Sequence, residues 1–277
     1  MKKLLALLLA LLMMLTLVAC SNKDEDEDDE GLDMAVGETD MTFASGGVDT
    51  DGDGKEDAFD VFTYDYVEGT TGIKIIGFQT YHTPHAVIIP ETINEIPVIE
   101  IADQAFYSAD SVTAVTVSAN VKAIGTMAFA DCDLLTNIVL PANLESIGKM
   151  AFAYCDKLTN PTFGDKLTLI DDFAFYGCES LTQIVLPDSL SVISQQVFMS
   201  CTELTSVHFG NSISSIGAHA FDNCGKLTSI NLDVPPSTLT TIGDYAFANC
   251  KELATPTWAN DQTDNITVGT EAFYGAK

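Results

Sequence analysis

The sequence contains no arginine, and its 12 basic residues are lysines set against 40 aspartates and glutamates. The formal net charge is therefore -28. Binding to nucleic acid needs clustered basic side chains that neutralise phosphates, so this balance excludes a nucleic-acid-binding protein. Disorder of the whole chain is also excluded, because 47% of the residues are hydrophobic and can build a buried core.

The sequence also lacks an apolar run long enough to predict a membrane-spanning helix, which needs about 20 residues. The run Leu4–Val18 follows two lysines and has 15 residues, which is typical of a secretory signal peptide, here residues 1–19. It ends in Leu-Val-Ala-Cys, which resembles the bacterial lipobox. This resemblance implies lipidation at Cys20 and an extracytoplasmic, membrane-anchored protein at the bacterial cell surface. An uncleaved anchor and an ordinary signal peptide are the alternatives.

An acidic segment follows the signal peptide. Seven consecutive acids occupy Asp24–Glu30, and no apolar residue lies among them. Like charges at this density repel each other, and nothing is present to collapse the segment. We expect residues 20–45 to form a disordered tether that holds a folded domain away from the membrane.

The remainder of the chain is a repeat marked by an Ala-Phe or Val-Phe dipeptide. Its phenylalanines are separated by 23, 23, 23, 23, 23, 26 and 26 residues. They are Phe106, Phe129, Phe152, Phe175, Phe198, Phe221, Phe247 and Phe273. A period of 20–29 residues is typical of a leucine-rich-repeat-like solenoid, in which each unit buries its apolar side against its neighbours.

Each unit contains a Leu-Thr-x-Ile-x-Leu run followed by Ile-Gly-x-x-Ala-Phe. The first run alternates apolar and polar residues and predicts a strand, whereas the second predicts a turn with a short helical or 3-10 segment. We therefore predict an α/β-type solenoid over residues 101–277, with a parallel sheet on one face and helical turns on the other. Two alternating runs around Glu68–Gly72 predict a β-hairpin, so residues 61–100 are expected to cap the solenoid.

The complete pattern, LTxIxLPxxLxxIGxxAFxxC, resembles the BspA-like leucine-rich repeats of bacterial surface proteins. The resemblance covers about residues 86–277. It implies a right-handed solenoid that serves in adhesion and protein binding, and it implies no enzymatic activity.

One cysteine column recurs three residues after the repeat phenylalanine. Its members are Cys132, Cys155, Cys178, Cys201, Cys224 and Cys250. The first and last repeats carry Ala109 and Ala276 at this column, which indicates a small buried side chain. We expect a ladder of buried thiols; disulfides and a zinc site are the alternatives.

A Ca²⁺-binding loop is predicted over residues 46–60, ahead of the cap. Carboxylates occupy positions 1, 3, 5, 9 and 12 of a 12-residue segment, Gly54 allows a sharp turn at position 6, and a backbone carbonyl is available at position 7. The candidate ligands are Asp49, Asp51, Asp53, Lys55 (through its backbone), Asp57 and Asp60. The ion would have a structural role. An acidic linker without a bound ion is the alternative.

The expected binding surface is the outward side of the strands, which is neutral and rich in threonine. Its candidate residues are Thr136, Asn137, Val139, Thr182, Gln183, Val185, Thr205, Ser206, His208, Thr228, Ser229 and Asn231. The expected partner is an extracellular protein of a host or neighbouring cell, and the membrane is contacted only through the lipid. A self-associating surface scaffold is the alternative, and no residue pattern indicates an enzyme.

The predicted Ca²⁺ loop can be tested by calorimetry on a chain comprising residues 31–277. We expect heat of binding at millimolar Ca²⁺ or below, and its loss when Asp51 and Asp53 are both replaced by asparagine, because the amides reduce the negative charge of the site. Replacing Asp110 and Asp165 by asparagine, outside the loop, is the control and should leave binding unchanged. No heat with the unsubstituted chain would show that the loop is an acidic linker.

Overall fold

The computed structural model describes residues 44–48, 57–79, 85–232, 234–260 and 266–277. Most of its strands have only two or three residues, as expected for a chain that changes direction several times in each repeat. In chain order they are β1 (Ala44–Val48), β2 (Asp57–Tyr66), β3 (Ile73–Gln79), β4 (His85–Ile88), β5 (Thr92–Ile93), β6 (Ile96–Ile101), β7 (Val112–Thr116), β8 (Ala123–Ile124), β9 (Asn137–Val139), β10 (Ser146–Ile147), β11 (Leu169–Ile170), β12 (Gln183–Val185), β13 (Val192–Ile193), β14 (Ser206–His208), β15 (Ser215–Ile216), β16 (Ser229–Ile230), β17 (Thr241–Ile242) and β18 (Thr267–Val268).

The predicted leucine-rich-repeat solenoid is confirmed, with about eight turns and parallel pairing between successive repeats. Each turn contributes to two strand columns rather than to one sheet. The first column, from the Leu-Thr-x-Ile runs, contains β4-β7-β9 and β12-β14-β16. The second column contains β6-β8-β10-β11 and β13-β15-β17-β18, with β3 pairing in parallel to β6. Parallel pairing places the same repeat position of each unit directly above its predecessor.

The predicted helical turns are wrong. Among the described residues there is no α-helix, and the 3-10 segment Thr257–Asn260 lies between the two strand columns rather than after the Ile-Gly step. The Ala-Phe segment is instead a pair of β-turns. One repeat shows both, since Ala128 N donates to Gly125 O at 3.4 Å and Ala130 N donates to Met127 O at 3.2 Å.

Two residues in each of these turns have positive φ, which breaks any helix. The first precedes the Ala-Phe or Val-Phe dipeptide, and the second lies two residues after the phenylalanine. The first set is Gln104, Met127, Met150, Phe173, Gln196, His219, Tyr245 and Glu271, and the second is Ser108, Asp131, Tyr154, Gly177, Ser200, Asn223, Asn249 and Gly275. Positive φ costs a non-glycine residue about 1–2 kcal/mol, so the turns depend on tertiary contacts.

Hydrogen bonds between repeats supply those contacts. Phe129 N donates to Ala151 O at 2.8 Å, and Asp131 N donates to Ala153 O at 2.8 Å. The turn amides therefore bond to the following repeat instead of to a helix of their own. A helix would direct these amides along its own axis, so it could not form this third ladder between repeats.

The core is a stack of phenylalanine rings that runs through all the repeats. From Phe106 to Phe273, neighbouring ring centroids lie 4.8–5.5 Å apart and the rings are nearly parallel. The rings from Phe106 to Phe247 are fully buried, and leucine and isoleucine columns surround them. Each ring thus buries both faces against its neighbours, which contributes stability beyond the apolar area removed from water.

The predicted N-terminal hairpin is confirmed. β2 and β3 pair antiparallel, from Val61 opposite Gln79 to Tyr66 opposite Ile73. Phe78 extends the ring stack, since its centroid lies 4.8 Å from that of Phe106. The hairpin therefore covers the first ring.

The glycine of the Ile-Gly step allows the repeats to approach closely, and it provides a test of the stacking. A Cβ at position 243 would lie 2.5 Å from Ala218 N, so we expect Gly243→Ala to lower the free energy of unfolding by about 1–3 kcal/mol. At Gly225 a Cβ would meet nothing within 4 Å, so Gly225→Ala is the control. Urea unfolding of both variants measures the difference, and equal stabilities would contradict the close approach.

Candidate binding face

The outward side of the first strand column carries no formal charge. Three positions of each repeat point outward here, as Thr136, Asn137 and Val139 do. Among the described residues at these three positions, from Ala86 to Thr257, none is aspartate, glutamate or lysine. The carboxylates of the described residues therefore lie elsewhere, mainly on the turns and connecting loops.

The structure places all twelve predicted face residues on this surface. Ser206 is half-buried and the other eleven are exposed, while the alternating apolar residues such as Ile138 and Ile184 are buried. The sequence pattern thus identified the outward positions correctly. Whether they bind a ligand stays a prediction.

The recurring threonines of the face have a structural role. The hydroxyl of Thr136 donates to Thr113 O at 2.9 Å, and the backbone N–H of Thr136 donates to the same oxygen at 2.8 Å. Thr205 and Thr228 repeat this arrangement on the unit before them, at 2.8 and 3.1 Å. These hydroxyl protons are committed to the stack, so the threonines offer a partner methyl groups and acceptor lone pairs.

Two asparagine side chains on the face also bond to the backbone. Asn231 accepts from Phe209 N at 2.7 Å and donates to Phe209 O at 2.9 Å, so its amide continues the strand ladder. Asn160 accepts from both Thr182 N and Gln183 N at 2.9 Å. Asn231, one of the predicted face residues, therefore contributes mainly to strand pairing.

The most distinctive feature of the face is the column at the repeat position of Val139, where exposed aliphatic side chains recur. Ile88, Val139 and Val185 are exposed by 51%, 48% and 54%, and Thr116 and Thr162 alternate with them. Sequence reasoning named Val139 and Val185 but missed Ile88, Asn160 and Thr162. Alignment of the outward columns would have found them, although Pro161 hid the strand character of its repeat.

The predicted ladder of buried thiols is confirmed. All six repeat cysteines are free and buried. The Sγ of Cys155 donates to Phe129 O at 3.1 Å, and the other five make the equivalent bond to an earlier repeat. Burial raises the pKa of Cys178, Cys201 and Cys224 well above its ordinary value and that of Cys250 to about 12. These thiols are therefore not nucleophiles at neutral pH.

Among the residues that the structure describes, the other titratable groups are not grouped into a metal site. On the turn side, burial and contact with Tyr176 raise the pKa of Tyr154, so this phenol stays protonated. His219 Nδ1 lies 3.0 Å from Asp222 Oδ2, and Asn249 Nδ2 donates a hydrogen bond to Asp222 Oδ1 at 2.9 Å. Among the described residues, no three His, Cys, Asp or Glu side chains are grouped to hold a metal ion.

Most of the predicted calcium ligands lie outside the described residues. Asp49, Asp51, Asp53 and Lys55 lie outside the described residues, as does Cys20. Asp57 and Asp60 belong to β2, which pairs with β1 and β3. The calcium loop therefore stays a prediction, and so does lipidation.

Comparison with known proteins agrees with this geometry. A model of the BspA-type leucine-rich-repeat region matches in six copies, over residues 57–179, 99–228 and 168–277. The chain belongs to the BspA-type leucine-rich-repeat family. The matched ranges include the hairpin and both strand columns, so family membership extends over the whole described solenoid.

Solved structures of bacterial leucine-rich-repeat proteins are similar to this fold. The leucine-rich-repeat protein TpLRR of T. pallidum is 28% identical with a TM-score of 0.66, over 74% of this chain and 96% of that one. A leucine-rich-repeat protein of Bacteroides ovatus is 23% identical, with a TM-score of 0.53 and coverage of 80% and 69%. A leucine-rich cell surface protein of Faecalibacterium prausnitzii is 21% identical, with a TM-score of 0.55 and coverage of 76% and 72%.

Curated proteins gave no significant match. In the part of the chain that the structure describes, no helix is long and apolar enough to cross a membrane.

The thiol ladder predicts a loss of stability at alkaline pH. Folding raises the thiol pKa above its ordinary value of 9.0, so the unfolded chain releases these protons first. The free energy of unfolding should be insensitive to these groups below about pH 9 and fall as the pH rises further. Denaturant unfolding between pH 7 and 10.5 measures the fall.

The matched control is Cys224→Ala, which removes one thiol from a column where alanine already occurs at both ends. Its stability should decline less steeply above pH 9, because one titrating group is missing. A thiol reagent at pH 8 should label none of the six until denaturant is added. Immediate labelling of the native protein would contradict the buried ladder.

Proposed function

We propose that this BspA-type repeat protein is anchored by a lipid on Cys20 at the bacterial cell surface and binds a protein partner. The contact surface is the outward side of the first strand column. The observation that carries this proposal is a charge-free face with exposed aliphatic side chains on a strongly acidic protein. Leucine-rich-repeat proteins of this family serve in protein recognition or adhesion, and they are generally binding scaffolds rather than enzymes.

The chemistry of the face favours a protein partner. Charged residues are depleted at the centres of protein interfaces, where apolar contacts dominate. Val139 and Val185 provide such contacts, and His208 adds a polar group within the same column. Most repeats of the face are paired strands, so little backbone ordering is needed there when a partner binds.

The distribution of charge favours the same surface. Carboxylates surround the face without entering it, and they repel acidic molecules such as anionic lipid headgroups and nucleic acid. A partner therefore needs a neutral contact area and gains from basic residues around it.

The predicted lipid anchor and acidic tether indicate that the protein lies at the cell surface. The sequence of residues 1–45 supports secretion, lipidation and an acidic spacer, and a structural relative is described as a cell surface protein. A Ca²⁺ ion bound between Asp49 and Asp60 would order the chain between the spacer and the hairpin. Calcium is then structural and does not contact the partner.

The binding face can be tested with paired aliphatic positions. Residues 31–277 are immobilised and exposed to extracellular matrix and to neighbouring cell surfaces, and a captured protein is purified and titrated. We expect Val139→Glu with Val185→Glu to weaken binding at least about tenfold, because each substitution buries a charge in the interface.

The matched control uses the second strand column. Leu169 and Val192 are exposed by 44% and 46%, so Leu169→Glu with Val192→Glu changes the same charge on another surface. This variant should bind normally. Unchanged binding by the first variant would exclude the first column as the site. An increase in particle size with protein concentration, measured by light scattering without a partner, would favour a self-associating scaffold instead.

A further inference from the structure

Both strand columns are interrupted together at one boundary along the solenoid. In the second column, pairing ends at β11 and resumes at β13. In the first column, no strand lies between β9 and β12, so its gap includes this boundary and also the boundary before it, where the second column is still paired. We call the shared boundary, between residues 159–170 and residues 182–193, the seam. Outside these gaps each column continues through at least three successive repeats.

In the first column, a proline and an asparagine side chain cause the interruption. Pro161 occupies the column of Ile138 and Ile184 and has no N–H to donate to a neighbouring strand. Across the seam, Thr182 N bonds to the Asn160 side chain at 2.9 Å. In the next repeat, the corresponding Thr205 N donates to a backbone carbonyl, also at 2.9 Å.

In the second column, two successive repeats lack the glycine of the Ile-Gly step. A Cβ at Gly148 or Gly217 would lie 2.7–2.8 Å from the backbone of the preceding repeat. Asp171 and Ser194 occupy this column on the two sides of the seam. Two stacked side chains need more room than two glycines, so the backbones cannot approach as closely here.

A side chain also replaces a backbone contact in the second column. Gly217 N donates to the carbonyl of Ile193 at 2.8 Å, which is the regular arrangement. At the seam the equivalent carbonyl, that of Ile170, accepts from the Ser194 hydroxyl at 2.7 Å. In both strand columns, hydrogen bonds across this boundary are therefore made by rotatable side chains instead of by backbone groups alone.

The turn column crosses the seam without interruption. Phe173 N donates to Gln195 O at 3.0 Å, and Phe175 N donates to Val197 O at 2.9 Å. The Phe175 and Phe198 rings stack at 5.5 Å. A continuous backbone ladder on one side and side-chain bridges on the other two form the geometry of a hinge.

We propose that the seam is a built-in hinge, at which the repeats before and after it open relative to each other on the strand side. The turn column acts as the pivot, since its ladder remains intact. Stability in a solenoid is a sum of nearest-neighbour interfaces, so the weakest interface opens first. Val139 and Val185 lie on opposite sides of the seam, so opening of the hinge changes their separation on the binding face. This consequence for binding rests on the proposed function.

Hydrogen exchange of the ligand-free protein tests the hinge, with each amide resolved by NMR. Thr182, Thr205 and Thr228 follow a leucine in the same repeat position, so their intrinsic exchange rates are similar. We expect Thr182 and Gln183 to exchange at least about tenfold faster than Thr205 and Thr228, because opening exposes only the seam amides. Rates within about twofold of each other would overturn the proposal.

A variant that restores the repeat consensus provides the second test. Pro161→Ile, Asp171→Gly and Ser194→Gly together supply the missing N–H and the two glycines. We expect exchange at Thr182 and Gln183 to slow to the level of Thr205. If the folded variant leaves both amides fast, the seam does not arise from these residues and the hinge is wrong.

The matched control is Pro256→Ile, which makes the same change in the same column of the last repeat, outside the seam. It should leave exchange at Thr182 and Gln183 unchanged, whereas slowing by this variant would show a general effect of proline removal and overturn the assignment. No partner is present in these measurements. A failure of the hinge and a failure of the binding face therefore give separate results.

Discussion

The fold depends on one constraint, which is that each repeat must satisfy its backbone hydrogen-bonding groups on the neighbouring repeats, through backbone ladders or, at the seam, through side chains. Strand ladders meet this constraint on two sides and the turn ladder meets it on the third, with the phenylalanine stack inside at 4.8–5.5 Å. Main-chain spacing of about 4.8 Å also suits stacked aromatic rings, so backbone pairing and ring packing reinforce each other. Contacts of this kind extend only to the neighbouring repeats, and local changes therefore have local effects.

This constraint also accounts for the side chains that look functional in the sequence. In six of the eight repeats a small buried thiol follows the phenylalanine and donates its S–H to a carbonyl of an earlier repeat, so the cysteine column is part of the stacking. Threonine hydroxyls bond to the preceding repeat, and Asn231 extends a strand. Once these roles are assigned, the uncharged aliphatic column around Val139 and Val185 remains as an exposed apolar surface that stacking does not explain.

The sequence allowed the repeat, its period, the buried columns and the outward face to be predicted, because stacked units repeat the same burial pattern at the same interval. The turns were assigned wrongly. Positive φ at residues as different as Met127, Phe173 and His219 has no signature in residue type, since the inter-repeat hydrogen bonds impose it. Pro161 departs from the repeat pattern in the sequence, yet the compensating bonds of Asn160 depend on side-chain placement and could not be predicted from spacing.

The sequence by itself determined the strong acidity, the 23-residue period and the identity of the core residues, since these follow from composition and spacing. The tertiary structure alone decided that three ladders join the repeats, that the turns are not helical and that both strand columns are interrupted at one seam. The physical reason is that a hydrogen-bond partner or a close approach exists only between repeats. A residue's role here is set by the residue about 23 positions away, which local pattern does not reveal.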